Sequence, residues 1–348
     1  MARGSSLPTV HVDRRVSAED LAFAAGRAIL VGPEDDDLRT ADAALIGVGR
    51  VWDAARFARF PNLEVVCRMG VGHDNVDLAA AGRAGVIVGN TPDAPTVSTA
   101  EHTLALMLAV TKELGVHRAG SPRGPMARRL APVARGGAAV VERFAPDPLA
   151  RRITRVVTGQ RGSGAATALE LESTTLGLVG FGRIGRRVAQ GAQALGMRVL
   201  ATSATRTSGT DAGVTLVELD ELLAESHVVS LHAPADESTR RLISADAIRT
   251  MRAGAYLVNC ARGALVDHDA LAAAVTGGHL AGAGLDVTDP DPLPLGHPLL
   301  GLPNVIITPH LASTTGAGRR RLFEHAFDNA VAALNGDPRW VVMPAATP

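Results

Sequence analysis

The chain alternates between short apolar runs and longer segments whose apolar residues recur with the period of an amphipathic helix. Short apolar runs are typical of buried strands, and strands that alternate with helices form parallel, doubly wound sheets. The sequence therefore predicts an α/β fold. The predicted strands are residues 43–48, 63–67, 85–89, 176–179, 199–201, 228–231, 256–259, 283–286 and 305–308. The predicted helices include residues 100–114, 219–225, 269–275 and 318–334.

A glycine-rich turn joins the predicted strand 176–179 to the helical pattern that follows it. Gly180, Gly182 and Gly185 form the pattern G-x-G-x-x-G, and strand, turn and helix are the context in which this pattern predicts a dinucleotide site. Gly180 allows the tight turn, Gly182 lets the backbone approach a pyrophosphate, and Gly185 lets the helix pack closely on the strand. The pyrophosphate would lie at the helix N-terminus, where free N–H groups and the helix dipole favour an anion.

This dinucleotide unit starts near the middle of the chain, which predicts two Rossmann-like domains with a cleft between them. Residues 1–115 and 312–348 are assigned to a substrate-binding domain, and residues 155–311 to a dinucleotide-binding domain. Residues 116–154 are interpreted as an arm or linker. The stretch 116–161 carries ten arginines against two acidic residues, so it could contact a cofactor phosphate or a partner chain. A solvated surface excursion is the simpler interpretation.

Composition narrows the function classes. Lys plus Arg and Asp plus Glu number 35 each, so no net charge favours nucleic acid or an anionic membrane. No apolar run approaches the roughly 20 residues of a membrane span, and the first residues lack the apolar core of a signal peptide. The two cysteines have no paired spacing, which is typical of the reducing cytoplasm and argues against a structural zinc. We therefore expect a cytoplasmic protein without a bound metal.

Polar residues of complementary chemistry stand at or just beyond the ends of three predicted strands. They are Arg262, the acidic residues of the segment 286–292, and His310. An arginine can bind a substrate carboxylate through two hydrogen bonds and polarise the neighbouring carbonyl. A histidine can give or take the hydroxyl proton near neutral pH, and a carboxylate beside it would orient the ring. Each residue alone is a weak signal, but at one sheet edge the three predict a hydride-transfer site beside a nicotinamide.

Several longer motifs carry a family resemblance. They are RMGVGHDNVD at 68–77, NTP at 90–92, AEHT at 100–103, the glycine turn, LHAP at 231–234, NCARG at 259–263, GAGLDV at 282–287 and TPH at 308–310. With them the chain resembles the D-isomer-specific 2-hydroxyacid dehydrogenases, nearest to the phosphoglycerate dehydrogenase and glyoxylate/hydroxypyruvate reductase branch. The resemblance extends from about Leu63 to Lys112 and from about Ala166 to His325.

The resemblance implies roles for individual residues. Arg262 would bind the substrate carboxylate and polarise the carbonyl, and His310 would be the acid/base. The backbone at Val71 and Gly72 would help to hold the carboxylate, and Arg68 matches the position that faces a far anionic group in phosphoglycerate-type members. The predicted catalytic residues are Arg262, Asp291 and His310. The predicted cofactor-binding residues are Gly180, Gly182, Arg183, Ile184, Gly185, Ser203, Arg206, His232, Pro234, Cys260 and Asp286, the last at the nicotinamide carboxamide.

The sequence departs from the family pattern at two places. The family has Glu where this chain has Asp291, so the reach of the shorter side chain to His310 is open and Asp289 is a rival partner. NAD-dependent members also have an acid after the second strand of the cofactor domain, where this chain has Ser203 and then Arg206. An acid would repel a 2′-phosphate, whereas Ser and Arg can bind it, so NADP(H) is favoured and NAD(H) stays possible.

The sequence therefore predicts an oxidoreductase that transfers hydride between NAD(P)H and a 2-oxo acid or D-2-hydroxy acid. Because Arg68 could contact a second anionic group, the substrate could carry one. Two alternatives stay open: a nucleotide-sensing, corepressor-like binding protein and a phosphite- or formate-type dehydrogenase on the same fold. The resemblance also implies a homodimer with part of 116–161 in its interface, and no nucleic-acid or membrane partner. The substrate side chain and the physiological direction are not identified.

Overall fold

The computed structural model describes residues 6–33, 38–114, 168–204 and 208–342. The stretch 116–161 and Arg206 therefore lie outside the described residues. The described strands are β1 (Thr9–Val12), β2 (Ile29–Val31), β3 (Ala43–Ile46), β4 (Val65–Arg68), β5 (Ile87–Gly89), β6 (Thr175–Val179), β7 (Arg198–Thr202), β8 (Gly209–Asp211), β9 (Val214–Leu216), β10 (Val228–Leu231), β11 (Ala255–Asn259), β12 (Leu280–Leu285) and β13 (Val305–Ile307). The described α-helices are α1 (Ala18–Ala24), α2 (Ala54–Phe57), α3 (Leu78–Arg83), α4 (Thr96–Thr111), α5 (Arg183–Ala194), α6 (Leu219–Glu225), α7 (Ala245–Thr250), α8 (His268–Thr276) and α9 (Gly316–Leu334).

The chain divides into two compact units, each with its own sheet. The first unit comprises Met1–His102, Pro234–Ser238 and Leu311–Pro348. The second unit comprises Thr103–Ala233 and Thr239–His310. The α/β fold predicted from the sequence is confirmed.

The sheet of the first unit has five parallel strands in the order β2-β1-β3-β4-β5. Strands β3 and β4 are buried along their whole length, as expected for parallel strands covered on both faces. Helix α9 packs on β3, β4 and β5, and its Phe323 and Phe327 are fully buried in the core on that side. The strand order reverses between β1 and β3, and ligands of such sheets bind at the carboxyl ends beside such a reversal.

The sheet of the second unit has eight strands in the order β13-β12-β11-β10-β6-β7-β9-β8, all parallel except the β8–β9 hairpin. Its order reverses between β6 and β10. The strand register lines up one row of residues across the sheet: Thr202, Val179, Leu231, Asn259, Leu285 and Ile307. The carboxyl ends of six strands therefore meet along one straight edge.

Side-chain caps fix where several helices begin. Ser17 and Asp20 form a reciprocal capping box at α1, and Asp77, Ser244 and Asp267 cap α3, α7 and α8. Each cap satisfies a backbone N–H that the helix itself leaves without a partner. In the part of the chain that the structure describes, no helix has the length and apolar character that a membrane crossing requires.

The units differ from the predicted domain ranges at Thr103, at Pro234–Ser238 and, by one residue, at Leu311. The second unit begins at Thr103 inside α4, before position 115, because the later turns of α4 pack on its core. A Cβ at Gly284 would lie 3.3 Å from Leu106, so this glycine leaves room for the helix. The short segment Pro234–Ser238 groups with the first unit, although it lies within the range predicted for the cofactor domain.

Candidate active site

The aligned sheet edge of the second unit brings together most of the strand-end residues predicted from the sequence. In each of these six strands, the residue that comes directly after the aligned strand end is either polar or the first glycine of the turn. These six residues are Ser203, Gly180, His232, Cys260, Asp286 and Thr308. Five of them are predicted cofactor-binding residues, and Thr308 is the addition.

The glycine turn has the geometry that a dinucleotide needs. Gly180 has φ +101°, and a Cβ there would lie 2.8 Å from the backbone carbonyl carbon of His232. A Cβ at Gly185 would lie 2.6 Å from the carbonyl oxygen of Gly180, so only glycine permits this packing of helix on strand. Gly182 is the N-cap of α5, and a Cβ there would meet no atom within 4 Å. The turn therefore fits a pyrophosphate on its open face at Gly182.

The end of β7 is the predicted contact region for the adenosine ribose. The hydroxyl of Thr202 accepts a hydrogen bond from the N–H of Gly180, 3.1 Å away, so this side chain braces the glycine turn. Ser203 follows and is half-buried. Asp211, on the neighbouring hairpin, lies 2.8 Å from Nη1 of Arg186, which neutralises its charge. Arg206, which was also predicted to contact the cofactor, lies outside the described residues.

Two titratable side chains on this edge are held uncharged by burial. Burial lowers the pKa of His232 to about 4, and its Nε2 lies 3.0 Å from the hydroxyl of Ser230. Burial raises the pKa of the Cys260 thiol to about 12, against a hydrogen bond from Thr103 that acts in the opposite direction. His232 is therefore a neutral imidazole near neutral pH, and Cys260 is a protonated thiol without nucleophilic character.

The loop that carries Arg262 is shaped by a buried asparagine. Asn259 is fully buried, its Nδ2 donates to the carbonyl of Arg262 (2.8 Å), and its Oδ1 accepts from the N–H of Ala261 (2.9 Å). The Arg262 guanidinium donates to the Ala261 carbonyl at 2.8 Å. A Cβ at the next residue, Gly263, would lie 2.0 Å from the carbonyl oxygen of Thr288. The arginine loop therefore packs directly against the segment that leads to Asp291.

His310 is tied to both acidic residues of the predicted site. Its N–H donates to the carbonyl of Asp286 at 2.9 Å, and its Nδ1 lies 3.1 Å from Oδ2 of Asp291. Asp286 is fully buried, and its carboxylate accepts a hydrogen bond from Thr308 at 2.5 Å. His310 has φ +52°, a left-handed backbone that is uncommon for residues other than glycine and recurs at functional sites. Asp289 lies instead 3.9 Å from Arg240.

Of the predicted substrate residues of the first unit, Arg68 ends β4, and Val71 and Gly72 lie on the loop that follows. The N–H of Gly70 donates to the Thr91 hydroxyl (2.7 Å), and Asn90 Nδ2 donates to the carbonyl of Val71 (2.8 Å). These contacts fix the backbone at Gly70 and Val71. Arg68 is only 6% exposed, and its Nη1 donates to the carbonyl of the adjacent Met69.

Comparison with known proteins identifies the family. Residues 148–312 match the NAD binding domain of the D-isomer specific 2-hydroxyacid dehydrogenases. The chain is 37% identical over 302 residues to a glyoxylate reductase of Aeropyrum pernix, covering 86% of this chain and 81% of that protein. It is 35% identical over 342 residues to a D-3-phosphoglycerate dehydrogenase of Mycobacterium tuberculosis, covering 95% of this chain and 58% of that protein. The chain belongs to the D-isomer specific 2-hydroxyacid dehydrogenase family.

A solved structure of this dehydrogenase family shows the same fold. The NADPH-dependent glyoxylate/hydroxypyruvate reductase of Sinorhizobium meliloti, in complex with NADP and malonate, matches with a TM-score of 0.74 at 26% identity. The match covers 98% of this chain and 100% of that one. The matched NAD binding domain and the NADP complex of the S. meliloti reductase support a pyridine nucleotide as the cofactor class. The chain spans only 58% of the length of the mycobacterial dehydrogenase.

Two residues of this candidate site were not assigned a role from the sequence. Asn259 shapes the Arg262 loop, and Thr308 donates to Asp286. Both occur in the motifs that carry the family resemblance, but their chemistry gave no separate signal. The signal in the sequence is an asparagine at the end of an apolar run and just before a turn. Such an asparagine is expected to be buried and to shape the loop by hydrogen bonds to its backbone.

Proposed function

We propose that this chain is an NAD(P)-dependent oxidoreductase that interconverts a 2-oxo acid and the matching D-2-hydroxy acid. The observation that carries the proposal is the pairing of His310 with Asp291, 3.1 Å apart, in the unit that also holds the glycine turn and the Arg262 loop. An acid/base pair, a carboxylate-binding cation and a dinucleotide turn are the parts that hydride transfer to a carbonyl requires.

The residues around the glycine turn would hold the cofactor. The backbone from Gly180 to Gly185, including Arg183 and Ile184, would bind the pyrophosphate at the N-terminus of α5. Asp286 would accept a hydrogen bond from the carboxamide of the nicotinamide, while Thr308 holds the carboxylate in place. When bound, the nicotinamide supplies or accepts the hydride. His232, Pro234 and Cys260 are proposed to contact the cofactor, as the family resemblance implies.

Arg262 would bind the substrate. Its guanidinium can form two parallel hydrogen bonds with a carboxylate and polarise the adjacent carbonyl oxygen. The Asn259 side chain fixes the backbone on both sides of this arginine, which limits the motion that the guanidinium must lose on binding. The backbone at Val71 and Gly72 is proposed to add N–H donors to the same carboxylate.

His310 would move the proton. Because Nδ1 faces Asp291, Nε2 is the nitrogen left to protonate the carbonyl oxygen during reduction and to accept the proton during oxidation. Asp291 orients the ring through its contact with Nδ1. His232 is a poor rival as a proton donor, because burial holds its pKa near 4.

An absorbance assay of nicotinamide oxidation tests the proposal directly. Purified protein should oxidise NADPH or NADH in the presence of a 2-oxo acid such as glyoxylate or hydroxypyruvate. Phosphite and formate with NADP⁺ and NAD⁺ serve as comparison substrates. Turnover of phosphite or formate alone would assign a different reaction, and nucleotide binding without any turnover would favour a sensing role.

We further propose that the cofactor is NADPH in preference to NADH. Support comes from Ser203 and Arg206, which stand where an acid would repel the 2′-phosphate, and from the NADPH-dependent family member of S. meliloti. The acid on the adjacent hairpin, Asp211, is engaged by Arg186.

We also propose a cytoplasmic homodimer with part of 116–161 in its interface. The support for the dimer is the family resemblance. The support for the compartment is that Cys67 and Cys260 are free, buried thiols. Sedimentation of a variant that lacks 120–150 should show a weakened dimer, and a variant that remains a tight dimer would assign this stretch another role.

A further inference from the structure

A segment that follows α9, residues 339–342, pairs with β5. The N–H of Asn90 donates to the carbonyl of Trp340 at 3.2 Å, and the N–H of Val342 donates to the carbonyl of Val88 at 2.7 Å. An antiparallel bridge lies between these two contacts. The segment 339–342 therefore extends the sheet of the first unit beyond β5, and both elements belong to that unit.

Helix α9 holds this segment through the side chain of Asn329, which is only 2% exposed. Its Oδ1 accepts hydrogen bonds from the N–H groups of Arg339 (2.9 Å) and Trp340 (3.3 Å). Its Nδ2 donates to the carbonyls of Trp340 (3.0 Å) and Asn90 (3.5 Å). One buried amide thus joins the segment 339–342 to the residue that follows β5, and it uses both its oxygen and its nitrogen to do so.

The close approach of these groups requires glycine at the end of β5. A Cβ at Gly89 would lie 2.6 Å from Nδ2 of Asn329 and 2.9 Å from the carbonyl oxygen of Trp340. Both distances are shorter than a Cβ tolerates. A side chain at this position would push the amide and the segment 339–342 away from the sheet, so the glycine lets them lie directly against the strand.

Asn90 links this arrangement to the loop after β4. Its Nδ2 donates to the carbonyl of Val71 at 2.8 Å. This carbonyl and the N–H of Gly72 belong to the same peptide group, which is planar and trans, so they point in opposite directions. Because Asn90 fixes the direction of the Val71 carbonyl, it also fixes the direction of the Gly72 N–H, which faces away from Asn90.

We propose that Asn90 and Asn329 are positioning residues for the substrate carboxylate, because together with the segment 339–342 they direct the Gly72 N–H toward it. Both act through the Val71–Gly72 peptide group and not on the substrate itself. A donor whose direction is fixed before binding loses little freedom when the substrate arrives, so its hydrogen bond contributes more to affinity. This inference rests on the proposed function, because it takes the Gly72 N–H as a donor to the substrate carboxylate.

Steady-state kinetics on the full chain test this inference, with glyoxylate or hydroxypyruvate as the 2-oxo acid and NADPH at saturation. Asn90→Leu removes the amide at similar volume, and Asn329→Leu removes the buried amide of α9. Val342→Pro keeps the α9 amide and removes the N–H that donates to the Val88 carbonyl. It therefore loosens the segment 339–342 by a second route, which serves where Asn329→Leu does not fold.

Asn62→Leu is the matched control. The Nδ2 of Asn62 also donates to a backbone carbonyl, that of Arg39, at 2.6 Å. Asn62 precedes β4 and Val71 follows it, so the two lie at opposite ends of the same strand. The melting temperature and the NADPH dissociation constant of each variant report on the fold and on cofactor binding separately from the KM for the 2-oxo acid.

Asn90→Leu should raise the KM for the 2-oxo acid about tenfold, while kcat changes less than about twofold and the NADPH dissociation constant is unchanged. A hydrogen bond to a carboxylate contributes a factor of about this size, and a contact made equally before and during the reaction acts on KM alone. Asn329→Leu and Val342→Pro should raise the same KM about threefold to tenfold, and Asn62→Leu should not change it. In the double variant, Val342→Pro should add little to Asn90→Leu, because both act through one peptide group.

Three results would overturn the inference while leaving the proposed function intact. The first is an unchanged KM for the 2-oxo acid in Asn90→Leu, or a lower kcat without a change in KM, as a loss of folded protein gives. The second is an unchanged KM in Val342→Pro, and the third is additive effects of Val342→Pro and Asn90→Leu. A wild-type chain that reduces no 2-oxo acid would overturn the proposed function itself, and this inference with it.

Discussion

His310 and Asp291 form a direct pair, with 3.1 Å between Nδ1 of the imidazole and Oδ2 of the carboxylate. Aspartate is one methylene shorter than the glutamate of the family pattern, yet it reaches the ring. The rival acid, Asp289, lies 3.9 Å from Arg240 instead. Because both members of the pair are partly exposed, its value lies in orienting the ring and not in stabilising the fold.

Asp291→Asn should lower kcat for reduction, because the imidazole of His310 loses the carboxylate that lies 3.1 Å from its Nδ1 and orients the ring. Asp289→Asn is the matched control and should leave kcat unchanged. A loss in Asp289→Asn alone would place the working partner at Asp289, and no loss in either would mean that His310 acts without a carboxylate.

Two glycines of the turn, Gly185 and Gly182, should respond differently to substitution by alanine. Gly185→Ala should destabilise the fold by about 1–3 kcal/mol, because its Cβ would lie 2.6 Å from the Gly180 carbonyl oxygen. Gly182→Ala should keep the melting temperature, since no atom lies within 4 Å of the new Cβ, but should weaken NADPH binding in a fluorescence titration. Unchanged NADPH affinity in Gly182→Ala would place the pyrophosphate elsewhere.

Cofactor preference should depend on the residues after β7. Arg206→Ala should raise the KM for NADPH much more than the KM for NADH, because under the proposal its guanidinium would pair with the 2′-phosphate, which NADH lacks. Ser203→Asp should move the preference toward NADH by repelling that phosphate. Equal effects on both cofactors, or a wild-type preference for NADH, would contradict the assignment.

The half-buried imidazole of His232 should make stability depend on pH. Burial lowers its pKa from 6.5 to about 4 in the folded chain. Between these two pH values the unfolded chain therefore binds more protons than the folded chain. The contribution of the neutral His232 ring to the free energy of unfolding is complete above pH 6.5 and is lost as pH falls toward 4. The free energy of unfolding, measured with guanidinium chloride between pH 6.5 and pH 4, should decline less steeply for His232→Gln than for the wild-type chain. Parallel declines would mean that the ring is not buried in solution.

Much of the fold follows from periodicity, because buried parallel strands are continuous apolar runs. Residues 43–48 and 176–179, for example, correspond to β3 and β6. The strands β1 and β2 and the β8–β9 hairpin were not predicted from the sequence. These strands have only three or four residues each. β1 and β8 also contain polar residues, and β2 is apolar but only three residues long, so none gives the longer apolar run that marks a core strand.

The candidate site was predictable in its chemistry but not in its pairings. Spacing alone could not choose between Asp289 and Asp291, since loop conformation decides which carboxylate meets the ring. It also could not show that the Arg68 guanidinium is buried against its own main chain. Such contacts depend on tertiary packing that a linear pattern does not contain.

The central claim, that His310 is the proton donor in carbonyl reduction, is tested most directly by single-turnover reduction in His310→Asn. Asparagine tolerates the left-handed backbone at this position, where φ is +52°, so the loop should keep its conformation. The rate should fall by about 10²–10⁴-fold while the NADPH dissociation constant is unchanged, since positioned acid catalysis contributes a factor of this size. A rate within about tenfold of the wild-type value, with cofactor binding intact, would contradict the assignment.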